Sequence, residues 1–135
     1  PPPPPTNKNV KGKKLLPPPP ISANATEAQK ANYVKAIRYL ENSSLGNVEA
    51  RYKLGVAYFE TKDFDNALAL FNEVKTDPDE EYAFSAAYYA GVIQYQQKNF
   101  IEAIADFKKS NGNSKYRKDL PYWLISSYQQ TAQWD

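Results

Sequence analysis

The sequence predicts an all-α fold, a solenoid of stacked helical hairpins preceded by a proline-rich extended tail. Two stretches, GVAYFETKDFDNALALF from Gly55 and GVIQYQQKNFIEAIADF from Gly91, keep the same Gly-Val, Lys, Ala and aromatic positions at an offset of 36 residues. Apolar residues in the repeated segments recur at spacings of three and four, as on one face of a helix. Nine of the 11 prolines fall within the first 20 residues. A repeat of this length indicates helical pairs that stack on one another.

Residues 1–22 are predicted to be a proline-rich linker or tail. Successive prolines fix φ and remove backbone N–H donors, which favours an extended polyproline II chain of about 3 Å per residue. We interpret the segment as a semi-rigid spacer. Two alternatives stay open: a ligand for a proline-binding groove, and a basic docking patch in KNVKGKK.

The positive charge of the chain belongs to this tail. The chain has 17 Lys and Arg residues against 15 Asp and Glu residues, and four of the lysines lie within residues 8–14. The other 13 basic and 15 acidic residues give the remainder a net charge of −2. Because the basic pI of 8.7 comes from the tail, it does not predict a nucleic-acid partner for the folded part.

Several classes of protein are disfavoured because the residues they need are missing. The chain has no Cys for disulfide or thiol chemistry, and no His, the usual general base and commonest metal ligand. The carboxylates of DFD and DPD lack the other ligands of a calcium loop, so we interpret them as helix caps. No apolar run reaches the roughly 20 residues of a membrane span. The sequence predicts no enzyme, no cofactor and no metal site, and it leaves the compartment open.

Residues 23–135 are predicted to form one solenoid segment of helical hairpins. The first helix has an apolar stripe of Tyr33, Ala36, Ile37 and Leu40 and lacks a preceding partner helix. The predicted units are a half repeat at residues 26–44, a repeat at 48–76, a repeat at 79–111 and a partial repeat at 119–135.

Polar and proline residues mark the predicted helix boundaries. Thr26 with Gln29, and Asn99 with Glu102, have the spacing of a capping box, in which each side chain satisfies a free N–H near the helix start. Further boundaries are predicted by Asn47 as a cap, by a turn at Lys62–Asp63, by Asp77 and Pro78 before Glu80, and by Pro121 at the start of the last helix.

The repeated positions resemble the tetratricopeptide repeat family over about residues 32–135. The first copy follows the family pattern as Leu54-Gly55-x2-Tyr58, Ala67-x3-Phe71 and Pro78. The second copy keeps Ala90-Gly91 and Ala103-x3-Phe107, with Gln94 where the family usually has Tyr. The resemblance implies that the glycines and alanines let paired helices approach closely, and that the phenylalanines fill the space between one pair and the next.

An aromatic stripe on the first helix of each repeat is the candidate site. Tyr52, Val56 and Phe59 lie at i, i+4 and i+7 and so share one helix face. The corresponding places in the next two repeats are Tyr88, Val92, Tyr95, Tyr122, Ser126 and Gln129. The family resemblance implies that these places line a concave groove that binds peptides. A second stripe, Leu54, Gly55 and Tyr58, is separately available to pack on the partner helix. The alternative is that the aromatic stripe is core between repeats.

The residues in this stripe predict the chemistry of a partner. Family members that hold a terminal carboxylate use Lys and Asn at these places, whereas this chain has tyrosines and valines. We therefore expect a protein or peptide partner with apolar anchors, bound as an extended segment or an amphipathic helix. The other hypothesis is a structural or self-association element with no peptide ligand of its own.

The chain also predicts a larger context. Trp134 stands where the aromatic residue of another second helix is due, so further repeats are expected to stack C-terminal to Asp135. The Tyr-, Asn- and Lys-rich composition of the repeats resembles that of repeat proteins of Bacteroidota-type bacteria, some of which are envelope proteins with proline-rich spacers. That resemblance implies a periplasmic or cell-envelope location, with the cytoplasm as the alternative.

Overall fold

The computed structural model describes residues 26–42 and 46–131, and this part of the chain is helical, without strands. The predicted tail at 1–22, Trp134 and stacking beyond Asp135 lie outside the described residues. The six α-helices are α1 Glu27–Glu41, α2 Val48–Glu60, α3 Phe64–Val74, α4 Glu80–Gln96, α5 Phe100–Ser110 and α6 Leu120–Thr131, and a 3₁₀ turn at Ser114–Tyr116 precedes α6.

Each helix packs against the next one in the chain, and α2 also contacts α4. The pairs α2/α3 and α4/α5 are therefore hairpins, and the first helix of one hairpin touches the first helix of the next. This is the connectivity of a helical solenoid, in which the contacts of each repeat are with its neighbours. The predicted all-α repeat architecture is confirmed.

Local side-chain bonds explain where the first two helices begin. The Thr26 hydroxyl accepts from the backbone N–H of Gln29 at 3.1 Å, and the Gln29 side chain accepts from the backbone N–H of Thr26 at 2.8 Å. This reciprocal pair is the predicted capping box. The Asn47 side chain accepts from the backbone N–H of Ala50 at 2.7 Å, so its predicted role as a cap of α2 is also confirmed.

One predicted capping bond is absent, whereas the predicted start of α4 is confirmed. Asn99 precedes α5 but makes no capping bond with its side chain, and its amide donates to Gln94 Oε1 at 3.0 Å. Helix α4 begins at Glu80, and Pro78 lies just before its first turn. The Asp77 carboxylate accepts from the backbone N–H of Asp79 at 2.9 Å and shapes the turn before the helix.

The turn inside each hairpin has the same left-handed residue. Lys62 and Lys98 both have a φ of 65°. In the first hairpin the Lys62 N–H donates to the carbonyl of Phe59 at 3.0 Å, and the next N–H donates to the carbonyl of Tyr58 at 2.8 Å. The second hairpin repeats both bonds. This is a Schellman motif, which satisfies the last carbonyls of a helix and reverses the chain. The turn predicted at Lys62–Asp63 is confirmed.

The repeated glycines allow each hairpin to close on a phenylalanine. A Cβ atom added at Gly55 would lie 2.8 Å from a ring carbon of Phe71, and one added at Gly91 would lie 2.7 Å from two ring carbons of Phe107. Both phenylalanine side chains are fully buried. The sequence prediction that glycine permits close approach is therefore confirmed, with the ring of the partner helix occupying the space.

The same phenylalanines join neighbouring hairpins. Phe71 stacks on Tyr89 of α4 with ring centroids 4.9 Å apart. Phe107 stacks on Trp123 of α6 at 5.2 Å. Phe71 and Phe107 are 36 residues apart and Tyr89 and Trp123 are 34 apart, so the same kind of aromatic contact recurs in successive repeats. The core is consequently continuous from α2 to α6, with α4 at its centre.

Candidate interaction groove

The nine predicted site residues lie on the first helices α2, α4 and α6, three on each, and together they define the groove face. Their spacing places each set of three on one side of its helix. Helix α2 contacts α4, and Tyr88 and Tyr95 of α4 contact Trp123 of α6, so the three helices that carry these sets are successive neighbours. The groove face comprises Tyr52, Val56, Phe59, Tyr88, Val92, Tyr95, Tyr122, Ser126 and Gln129.

On α2 the groove face is partly covered by α4. The Tyr52 ring makes edge contacts with Tyr82 at 5.3 Å and Tyr89 at 6.1 Å, and its side chain remains half-buried. Burial raises the pKa of Tyr52. Phe59 is 7% exposed and contacts Tyr89 at 5.1 Å, whereas Val56 is half-buried beside the core.

On α4 two groove-face residues belong to the core. Tyr88 and Val92 are both 0% exposed. The Tyr88 ring stacks on Tyr116 at 4.0 Å, and its hydroxyl accepts from the indole N–H of Trp123 at 2.8 Å. Burial raises the pKa of Tyr88 to about 12. These contacts leave neither side chain accessible to a ligand. Tyr95, one turn further along, is half-buried and contacts the Trp123 ring at 5.3 Å.

Helix α6 carries the most open part of the groove face. Tyr122 is 49% exposed, and Gln129 is half-buried. Ser126 lies between them and is buried. The ammonium group of Lys108 lies 5.7 Å from the ring centre of Tyr128, beside this surface.

The groove face therefore divides into core and open positions. Phe59, Tyr88, Val92 and Ser126 are buried. Phe59 is covered by Tyr89 of α4, and Tyr88 is covered by Trp123 of α6. The alternative kept open at the level of the sequence, that the stripe is inter-repeat core, describes these four residues. The open positions, which keep a solvent-exposed surface, are Tyr52, Val56, Tyr95, Tyr122 and Gln129.

In the second predicted stripe of Leu54, Gly55 and Tyr58, Gly55 packs on the partner helix α3 as expected, whereas Tyr58 contacts α1. Leu54 is buried, and Gly55 lies against Phe71. The Tyr58 hydroxyl donates to the Glu41 carboxylate of α1. Burial and this hydrogen bond raise the pKa of Tyr58 to about 12. The bond fixes the end of α1 on α2.

A buried carboxylate beside the groove face escaped the sequence prediction. Glu60 is the last residue of α2 and is only 7% exposed. It lies four residues after Val56 and so shares its helix face. Among the described residues, its Oε2 atom is buried without a hydrogen-bond partner, and burial raises the pKa of the Glu60 carboxyl. The i+4 spacing from Val56 was visible in the sequence, but the burial of a Glu at this place could not be predicted from it.

The other buried carboxylate has a cation beside it. Asp106 of α5 is buried, and its Oδ1 atom lies 2.8 Å from the ammonium nitrogen of Lys75, at the end of α3. Burial raises the pKa of Asp106 in spite of Lys75. The pair joins the second helices of neighbouring hairpins, so it has a structural explanation that Glu60 lacks.

A cleft lies away from the groove face, between the start of α4 and the loop before α6. Its volume is about 490 Å³, and it is open to solvent. None of the nine predicted residues lines it. Its lining residues are Glu80, Glu81, Phe84, Ser85, Gly112, Asn113, Ser114 and Lys115.

Two kinds of site are absent from residues 26–42 and 46–131. No group of three or more His, Cys, Asp or Glu side chains in these ranges is arranged to hold a metal ion. None of the helices there is long and apolar enough to cross a membrane.

Comparison with known proteins identifies the repeat. Residues 26–81, from the capping box of α1 to the start of α4, match the family model described as tetratricopeptide repeat. Neither the curated proteins nor the solved structures contain a match to this chain.

Proposed function

We propose that this chain, whose residues 26–81 match the tetratricopeptide repeat family, is a non-catalytic protein-interaction scaffold whose groove face binds a peptide or helical segment of a partner. Tetratricopeptide repeats generally mediate contacts between proteins. The observation that carries the proposal is the row of open positions across three successive first helices. It comprises Tyr52, Val56, Tyr95, Tyr122 and Gln129, all with exposed surface.

The side chains at these positions favour a partner with apolar anchors. Three of the five are tyrosines, which combine a large apolar ring with a hydroxyl that can hydrogen-bond. Neither Lys nor Asn stands at the open positions, so a terminal carboxylate has no matching group there. An amphipathic helix or an extended segment would lay aromatic or aliphatic side chains between the first helices.

Selection of a random-peptide phage library on the purified chain tests this proposal. We expect enriched peptides that share aromatic or aliphatic anchors. Their binding should fall strongly with Tyr122→Arg, which places a charge on the most exposed groove-face tyrosine. The matched control is Ile101→Arg on α5, because Ile101 is 62% exposed and is not part of the groove face. The far-UV circular dichroism spectrum of each variant, compared with that of the wild-type chain, shows whether the variant keeps its helices.

The outcome that would contradict peptide binding is a selection without enrichment, or enriched peptides that bind the Tyr122→Arg and wild-type chains equally. A peptide that loses affinity with Ile101→Arg would place binding on the outer helix instead.

A structural role is the second candidate function, and the burial of four groove-face residues favours it. Phe59, Tyr88, Val92 and Ser126 already serve the contacts between hairpins. In this case the open positions would be covered by other repeats or by a second copy of the chain. Sedimentation velocity separates the two functions, because self-association should increase with protein concentration and decrease with Tyr122→Arg.

The envelope location is a further part of the proposal. It is supported by the proline-rich, basic composition of residues 1–20, which suits a spacer between a membrane anchor and a repeat domain. Fractionation of cells that express the full-length parent protein tests it. Recovery in the cytoplasm would contradict this part and leave peptide binding unaffected.

A further inference from the structure

Glu60 is a charged residue where the fold alone favours a neutral one. Its side chain is 93% buried, and among the described residues its Oε2 atom has no hydrogen-bond partner. It is also the last residue of α2, where the helix dipole disfavours a negative charge. Buried charges in proteins are normally paired with an opposite charge or hydrogen-bonded.

The surroundings of Glu60 supply hydroxyl groups and aromatic rings. The Glu60 charge adds to the effect of burial in raising the pKa of Tyr33 on α1 and of Tyr89 on α4. Burial is the sole cause of the raised pKa of Glu60 itself, so no described Lys or Arg offsets it. An acceptor close to two tyrosine rings is an environment that suits a cation.

The contrast with Asp106 shows what is missing at Glu60. Both side chains are buried carboxylates with one unpartnered oxygen atom. Asp106 has the Lys75 ammonium group at 2.8 Å, supplied by the neighbouring hairpin. At Glu60 an equivalent cation would have to come from outside the described residues. Residues that destabilise the folded protein are expected chiefly where function requires them.

We propose that Glu60 is a recognition residue for a Lys or Arg side chain of the bound peptide. The carboxylate at the end of α2 accepts hydrogen bonds from the ammonium or guanidinium group, while the open positions hold the apolar anchors. The partner is thus a segment with a basic residue at a fixed distance from an aromatic or aliphatic one. This inference rests on the proposed peptide-binding function and specifies its ligand.

The same phage library tests the inference when the selection is repeated on Glu60→Gln, which keeps the shape of the side chain and removes its charge. On the wild-type chain we expect enriched peptides with Lys or Arg at one position relative to their apolar anchors. On Glu60→Gln we expect the same anchors without the basic residue. The matched control is Glu73→Gln, since Glu73 is exposed on α3, outside the groove face.

A synthetic peptide from the wild-type selection then gives a quantitative test that is independent of protein stability. Replacing its Lys with norleucine should weaken binding to the wild-type chain about tenfold, as expected for a charge-assisted hydrogen bond. The same replacement should change binding to Glu60→Gln by less than about twofold.

Each outcome decides between the two proposals. Peptides that share apolar anchors but show no basic preference would overturn the role of Glu60 and leave peptide binding supported. An equal loss with norleucine in both chains would also overturn it. If no peptide is enriched on the wild-type chain, peptide binding fails, and the role of Glu60 fails with it.

Discussion

At the scale of single residues, the fold depends on a few positions where only one kind of side chain fits. Gly91 faces the ring of Phe107, and Phe107 is held from its other side by Trp123. The ring therefore cannot move away from an added methyl group without disturbing the next hairpin. Close packing of this kind makes a core sensitive to even one extra carbon atom.

Gly91→Ala is expected to lower the free energy of unfolding by about 1–3 kcal/mol, because the new Cβ atom would lie 2.7 Å from two ring carbons of Phe107. Thermal denaturation followed by circular dichroism measures the change. The loss in the double variant Gly91→Ala/Phe107→Leu should be smaller than the sum of the two single losses, since the smaller Leu side chain gives the methyl group room. A loss in the double variant equal to the sum of the single losses would contradict this contact.

Glu60→Gln is expected to stabilise the free chain at neutral pH. Because burial raises the pKa of Glu60 above its ordinary value of 4.5, ionisation destabilises the folded state relative to the unfolded one. As the pH falls through the folded-state pKa, the carboxyl group becomes protonated and this destabilisation disappears. Melting temperatures of the two proteins should therefore differ most near neutral pH and converge below pH 4.5. A difference that is constant across this range would contradict the assignment.

At the scale of helices, the sequence predicted the helix boundaries better than it predicted which helix faces are buried by neighbouring helices. The capping box of Thr26 and the turn at Lys62 follow from local chemistry, and both were predicted. Periodicity also identified Tyr52 and Val56 as sharing one face. It did not indicate that Tyr116, and Trp123 of α6, would cover Tyr88 while Tyr122 stays open, because that depends on how the hairpins pack. Glu60 was missed for a related reason: its burial is a property of the packed helices.

Tyr88 provides a test of how the hairpins pack. Tyr88→Ala should cost about 3–5 kcal/mol of folding free energy, because it removes a fully buried ring that stacks on Tyr116. Tyr88→Phe should cost only about 1 kcal/mol, since it loses the hydrogen bond from Trp123 but keeps the ring. Urea denaturation gives both values. A fully stable Tyr88→Ala chain would mean that Tyr88 is not core.

The left-handed turn predicts a substitution that should raise the stability of the chain. A non-glycine residue in this conformation costs about 1–2 kcal/mol, which a glycine avoids. Glycine also loses more backbone entropy on folding, and this offsets about half of the gain. Lys98→Gly should therefore stabilise the chain by roughly 0.5–1 kcal/mol, as Lys98 has a φ of 65°. The control is Lys35→Gly in the middle of α1, which should destabilise it by about 1 kcal/mol. Destabilisation by Lys98→Gly would argue against the turn geometry.

At the scale of the whole molecule, the contacts that stabilise the fold and the proposed recognition surface use the same three helices. The aromatic residues that join one hairpin to the next occupy the middle of the groove face, and the open positions lie beside them on α2, α4 and α6. The sequence predicted the repeat, the helical pairs and the helices that carry the groove face. It did not separate packing from recognition, because both use aromatic residues at the same spacing.

Chemical-shift mapping of the ¹⁵N-labelled chain with a library-derived peptide is the most direct test of the groove. The predicted result is that the largest shifts cluster on α2, α4 and α6, around Tyr52, Tyr95 and Tyr122, and include the Glu60 amide when the peptide contains a Lys or Arg. Shifts confined to α3 and α5, or to the cleft around Phe84, would contradict the groove as the binding surface.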